Sequence, residues 1–151
     1  MKPSRAQKLL KTFSIIEFID GLFYLLVMIL FLISIRNEKV MQMVKENHLN
    51  IYFGLFKLGI NIILLFVSSN ILRRTADDPS LHEKALTITL IVIAYEVISF
   101  VSNLGVGVPN DFVAMVVSVM INLFIVRLVE KIREEYKQSV REAIRNGEVI
   151  I

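Results

Sequence analysis

The sequence predicts an all-α integral membrane protein, a four-transmembrane-helix bundle with a cytoplasmic C-terminal helical extension. Two observations carry that prediction. Hydrophobic residues make up 55% of the 151-residue chain and charged residues 21%, and the charges cluster between long apolar runs. Four of those runs, near 13–35, 51–72, 85–104 and 112–128, reach the roughly 20 residues needed to cross a hydrocarbon core of about 30 Å. The remaining residues, 130–151, read as an amphipathic tail, and the chain length leaves no room for a second folded domain.

The start of the chain is basic before it turns apolar, as in a signal peptide. Its apolar run continues too far and no small-residue cleavage site follows, so it is expected to remain as the first span. Ser4 and Gln7 fit a capping box that opens a short basic helix over Arg5 to Lys11. Within the first span, Glu17 and Asp20 lie one turn apart, with Gly21 and Tyr24 on the same side. Ser14 and Glu17 repeat the capping-box pattern, so Glu17 is expected near the interface in a structural role. Asp20 lies deeper, and its short side chain cannot snorkel to water.

Asn37 is placed to cap a short interfacial helix with an apolar face of Val40, Met43 and Val44. Met41, Met43 and His48 are metal-ligand types, but their spacing does not converge on one helical face, so no metal site is expected. Asn50 reads as the cap of the second span, whose Gly54, Lys57, Asn61 and Ser68 form a small and polar stripe. Gly54 suggests a close helix approach. Between the second and third spans, Asp77, Asp78 and Pro79 break the helix, and Ser80 with Glu83 makes a capping box that restarts it, leaving His82 as a solvated first-turn residue.

The third span carries Glu96 near its middle, on one stripe with Thr89, Ser99 and Asn103. An ionised carboxylate at that depth costs about 2.5 kcal/mol or more unless it is partnered, wet or neutralised. The short loop 105–111 ends in Asn110 or Asp111 as a cap, and Met115, Ser118 and Asn122 then share one face of the fourth span. Good helix formers continue beyond it with Glu130/Arg133, Glu134/Lys137 and Glu142/Arg145 spacings until Asn146 and Gly147. Val129, Ile132, Tyr136, Val140 and Ala143 form an apolar seam along this extension, suited to a protein partner or a second copy.

Thirteen of the seventeen Lys and Arg residues fall on the side of the two termini, which predicts that both termini are cytoplasmic, in a plasma (inner) membrane. Counted from that side at the helical rise, Asp20 lies at about 10 Å, Asn61 at about 15 Å, Glu96 at about 16 Å and Lys57 at about 20 Å, and Asn122, counted down from the far side, at about 14 Å. The expected buried polar layer is therefore Asp20, Lys57, Asn61, Glu96 and Asn122, with Lys57 and Glu96 as an ion pair.

Three function classes are weighed on this basis. An interaction or regulatory membrane component needs least. A small proton- or ion-coupled transporter or channel, acting as an oligomer, is the alternative, since intramembrane charges mark ion pathways. An enzyme is not expected, because GxSxG, HExxH and Gly-rich phosphate loops are missing and neither histidine lies in a span. The chain has no cysteine, which excludes disulfides and thiolate chemistry. No catalytic residue and no cofactor are assigned. The expected partners are the bilayer and its anionic lipids at the cytoplasmic face, and no nucleic acid, because the basic excess is accounted for as positive-inside anchors.

Overall fold

The computed structural model describes residues 3–46, 48–105 and 112–147. These form α1 (Arg5–Ser34), α2 (Glu38–Glu46), α3 (His48–Asp77), a 3-10 turn over Pro79–Leu81, α4 (His82–Gly105) and α5 (Phe112–Arg145). Four of the helices are long and apolar enough to span a membrane.

α1 starts where the sequence places it. The Ser4 hydroxyl accepts from the Gln7 amide at 3.3 Å while the Ser4 amide donates to Gln7 Oε1 at 2.7 Å, the reciprocal capping box. Ser14 does not open a second helix. It lies inside unbroken α1, and its hydroxyl donates back to the Lys11 carbonyl at 2.7 Å. At the far end, Asn37 caps α2 by accepting from the Lys39 amide at 3.0 Å. Of α2's apolar face, Val44 is buried while Met43 stays 61% exposed.

α3 begins at His48, so Asn50 lies within the helix instead of ahead of it. The turn that follows α3 is capped differently from the sequence reading. Asp78, not Ser80, receives the bonds: its Oδ1 accepts from the Ser80 amide at 3.0 Å and from the Ser80 hydroxyl at 2.7 Å. Asp78 is the better acceptor because its carboxylate precedes Pro79, which fixes the first turn and has no amide to satisfy. The Ser80 hydroxyl and amide hold the Asp78 carboxyl below the usual carboxylate range. The expected fourth-span caps, Asn110 and Asp111, lie outside the described residues.

α5 runs through the tail as one helix and ends with Gly147 at φ +71°, the left-handed conformation that glycine adopts without strain. Within its charged part, Arg127 pairs with Glu130 at 3.2 Å, in place of the three expected acid-first pairs.

The long helices pack in a ring, α1 beside α3, α3 beside α4, α4 beside α5 and α5 back against α1, so that ring neighbours run antiparallel. The core sits at the end of the bundle that carries both chain termini. It is built from Ala6 and Leu10 of α1, Leu72 and Ala76 of α3, Ala85 of α4, and Ile125, Leu128, Val129 and Ile132 of α5. Phe13 closes on Phe124 at a centroid distance of 5.7 Å, and Lys11 pairs with Asp77 at 2.9 Å beside them. Val129 and Ile132 thus belong to the bundle core, and Tyr136 lies against His82 at 6.2 Å. The apolar seam of the tail is used by the protein itself over its first two turns.

Beyond that end the packing thins. Only 6% of α1's most apolar window is buried, against 22% in α4 and α5. This is the pattern expected of a bundle in lipid, whose tails are as apolar as leucine and leave hydrophobic burial little to gain across a span. The contact that persists along the bundle is α1 against α3. A Cβ on Gly21 would stand 3.3 Å from the Phe66 ring, so this glycine permits the approach. Gly54 does not have that role, since a Cβ there would meet nothing within 4 Å.

Candidate functional site: the polar interior

Moving away from the terminal core, the first polar level is buried. It holds Ser14 and Glu17 of α1, Ser68 and Ser69 of α3, Thr89 of α4 and Asn122 of α5. Several of these satisfy their own backbone. The Thr89 hydroxyl donates to the Ala85 carbonyl at 2.8 Å, and the Asn122 amide donates to the Ser118 carbonyl at 3.0 Å. Ser69 ties two helices together, donating to the Ser14 carbonyl at 2.6 Å. Three buried oxygens at this level have no hydrogen-bond partner: Glu17 Oε2, Ser68 Oγ and Asn122 Oδ1.

Glu17 is therefore not the interfacial residue the Ser14–Glu17 spacing suggests. It is 9% exposed and faces the Ser68 hydroxyl across the α1–α3 contact. The sequence signal that could have found it is its four-residue spacing to Gly21, the residue that brings α3 close.

The second level contains Asp20, Tyr24, Asn61, Glu96 and Ser118. Asp20 is exposed on α1, so it is not part of a buried layer. The reason is rotational: the side of α1 facing α3 is taken by Ser14, Glu17 and Gly21, which turns Asp20 outward toward Ile16 and Phe23, both exposed. Tyr24 lies within the electrostatic reach of both Asp20 and Glu96. Glu96 is half-buried and faces the Ser118 hydroxyl of α5. Asn61 is half-buried one turn from Lys57.

The third level is a knot around Lys57. Its ammonium donates to the Ser99 carbonyl at 2.7 Å, to the Ser102 hydroxyl at 3.1 Å and to Asn103 Oδ1, and it lies 5.3 Å from the Phe53 ring centre. From the other side, the Tyr95 hydroxyl donates to the Lys57 carbonyl. The expected Lys57–Glu96 ion pair is not formed, and neither Asn61 nor Asn122 bonds to the ammonium. Two effects redirect it. The lysine stem extends away from its backbone, and the last two turns of α4 present three polar oxygens to it, the Ser99 carbonyl, the Ser102 hydroxyl and the Asn103 amide. Ser99 and Asn103 lie one and two turns beyond Glu96, where the stem reaches them.

The five residues of the expected layer thus separate into three settings: Asp20 outside, Asn61, Glu96 and Asn122 inward at different depths, and Lys57 at the end of α4. Among the described residues no three histidine, aspartate or glutamate side chains converge as metal ligands. The arrangement can hold helix register, bind a proton at a carboxyl, and present an acid to a neighbour.

No family model, curated protein or solved structure matches the chain.

Proposed function

We propose that this protein is a membrane-embedded interaction or regulatory component whose first span is completed by a transmembrane partner. The observation that carries the reading is the exposed carboxylate of Asp20. It lies on α1 along one stripe with Ile16, Phe23, Val27 and Leu30, which are 41 to 61% exposed. In a bilayer that stripe would face hydrocarbon, where an unpartnered carboxylate costs about 2.5 kcal/mol or more. A partner helix offering a hydroxyl, amide or cationic side chain removes that cost. Lys57 supports the same reading, because its ammonium is committed to the end of α4, where it fixes the architecture.

In this reading the end bearing the termini faces the cytosol of a plasma (inner) membrane. The residues Lys8, Lys11, Arg73, Arg74, Lys84 and Arg127 gather there to meet anionic head groups. The tail beyond Tyr136, with Ile144 66% exposed, provides a second docking element for a cytosolic protein or another copy. The proposal assigns no catalysis and no cofactor.

The test is Asp20→Leu in the full-length protein, compared with wild type by size and co-purification from native lipid nanodiscs. Loss of a larger assembly in the variant, with the monomer still folded, supports the reading. A monomeric wild type, and a variant that is equally stable and equally active in cells, would overturn it.

A small proton-coupled transporter is favoured by a different observation, the buried Glu17 carboxyl without a cation beside it. The apolar plug of Leu10, Leu72, Ala85 and Ile125 then closes the terminal end of the polar interior.

A further inference from the structure

We propose that Glu17 and Ser68 form a proton-binding site buried at the α1–α3 contact, where the carboxyl takes up and releases a proton. The inference does not depend on the partner at α1, and it holds whether or not the proton is transported.

The geometry is specific. Glu17 is 9% exposed and Ser68 1%, their side chains face each other, and Glu17 Oε2 and Ser68 Oγ each have no hydrogen-bond partner. Among the described residues no cation is found acting on the Glu17 carboxyl. Among the described residues the ion pairs are Lys11–Asp77 and Arg127–Glu130, and Lys57 is tied to the end of α4. The groups facing Glu17 can be named helix by helix. α1 presents Asp20, an acid, and α3 presents the neutral Ser68 hydroxyl. α5 has no titratable side chain between Phe112 and Val126, and the acid of α4, Glu96, acts on Tyr24 instead.

A buried carboxylate that faces one hydroxyl and a neighbouring acid is poorly compensated, whereas the neutral acid carries no charge to compensate. A serine hydroxyl suits both states, because it accepts from the acid O–H and rotates to donate to the carboxylate. On release, the carboxyl O–H bond breaks and the proton passes to a water molecule. A groove of about 300 Å³ runs between α1 and α3 past Ser14, Phe18, Ser69 and Asn70 to Arg73. Phe18 and Ser69 are one residue from Glu17 and Ser68 and about 100° round their helices, so the groove reaches the α1–α3 contact but neither Glu17 nor Ser68 lines it.

The test uses dicyclohexylcarbodiimide, a hydrophobic reagent that attacks neutral carboxylic acids in apolar settings. The full-length protein in lipid vesicles is treated over a range from mildly acidic to alkaline pH, and adducts are located by peptide mass spectrometry. The expected adduct is on Glu17, abundant at acidic pH and lost at alkaline pH, with exposed Glu134 and Glu142 unmodified. Glu17→Gln should remove it. Ser68→Ala should keep it but move the pH at which half is lost, which a hydroxyl with a purely packing role would not do. An unmodified Glu17 at acidic pH in folded protein, or labelling independent of pH, would overturn the proposal. Protection by sodium ions at constant pH would also overturn it, showing a metal-cation site in place of a proton site.

Discussion

Replacing Lys57 by methionine removes three hydrogen bonds to the end of α4 while keeping an unbranched apolar stem. Hydrogen bonds to a charged group are worth about 1.5–3 kcal/mol each in water-soluble proteins, whereas interhelical polar contacts measured within membranes average about 0.6 kcal/mol. Lys57 is only half-buried, so the lower figure applies, and three bonds amount to roughly 2 kcal/mol. The partner matters more than the total. In a double-mutant cycle, Lys57→Met and Asn103→Ala should couple by about 0.5–1.5 kcal/mol, because each loses the same bond. Lys57→Met and Glu96→Gln should be additive to within about 0.5 kcal/mol, because the two side chains are not paired. Reversible unfolding in mild detergent, followed by circular dichroism, measures all four variants. Strong coupling of Lys57 to Glu96, with none to Asn103, would refute the placement of the ammonium at the end of α4.

The remaining predictions address topology, packing, the cap and the tail. Cysteines introduced at Ser80 and Ser139 should be protected from an impermeant thiol reagent in intact cells while one at Asn37 is labelled, and labelling of Ser139 from outside would invert the scheme; the absence of native cysteine makes each signal unambiguous. Gly21→Leu should destabilise by about 1–3 kcal/mol, since even a Cβ there stands 3.3 Å from Phe66, whereas Gly54→Ala should be neutral or stabilising; equal effects in thermal unfolding would contradict the α1–α3 contact. The Ser80 hydrogen bonds depress the folded-state value of Asp78, so their stabilisation is complete above the unfolded value and is lost as pH falls through the folded one. Asp78→Asn should therefore flatten the acid limb of a melting-temperature profile, and an unchanged limb would refute the cap. Deleting the chain from Glu134 should leave insertion intact, while deleting from Leu128 should not, since that removes Leu128, Val129 and Ile132 from the core; equal accumulation in the membrane would contradict the core assignment.

The long helices were legible because their apolar runs are long enough to cross a bilayer, and the first cap because Ser4 and Gln7 have few other uses at that spacing. The side chains in the interior were harder to place for identifiable reasons. α1 is apolar all round, so no periodicity distinguishes its α3-facing side from its outer side, and Asp20 and Glu17 exchanged roles in consequence. Local spacing also misled at Ser14, which bonds inside a continuous helix, and at Ser80, where the neighbouring Asp78 is the stronger acceptor. Depth counted along backbones brought Lys57 level with Glu96, but a lysine reaches several ångströms from its own Cα, and the helix end beyond Glu96 offered better acceptors. Ser99 and Asn103 were already on the stripe with Glu96. What the sequence lacked was the direction of the lysine stem.

The central claim, that the Asp20 stripe of α1 is covered by another transmembrane segment, is tested most directly by site-specific photo-crosslinking in intact membranes. A photoreactive amino acid is placed in turn at Ile16, Phe18, Phe23, Leu25, Val27 and Leu30. Protein crosslinks should recur at Ile16, Phe23, Val27 and Leu30 and be absent at Phe18, which packs on Phe66, and at half-buried Leu25. They should also disappear from the stripe in Asp20→Leu. If the four stripe positions yield only lipid adducts, the stripe faces hydrocarbon and the partner does not exist.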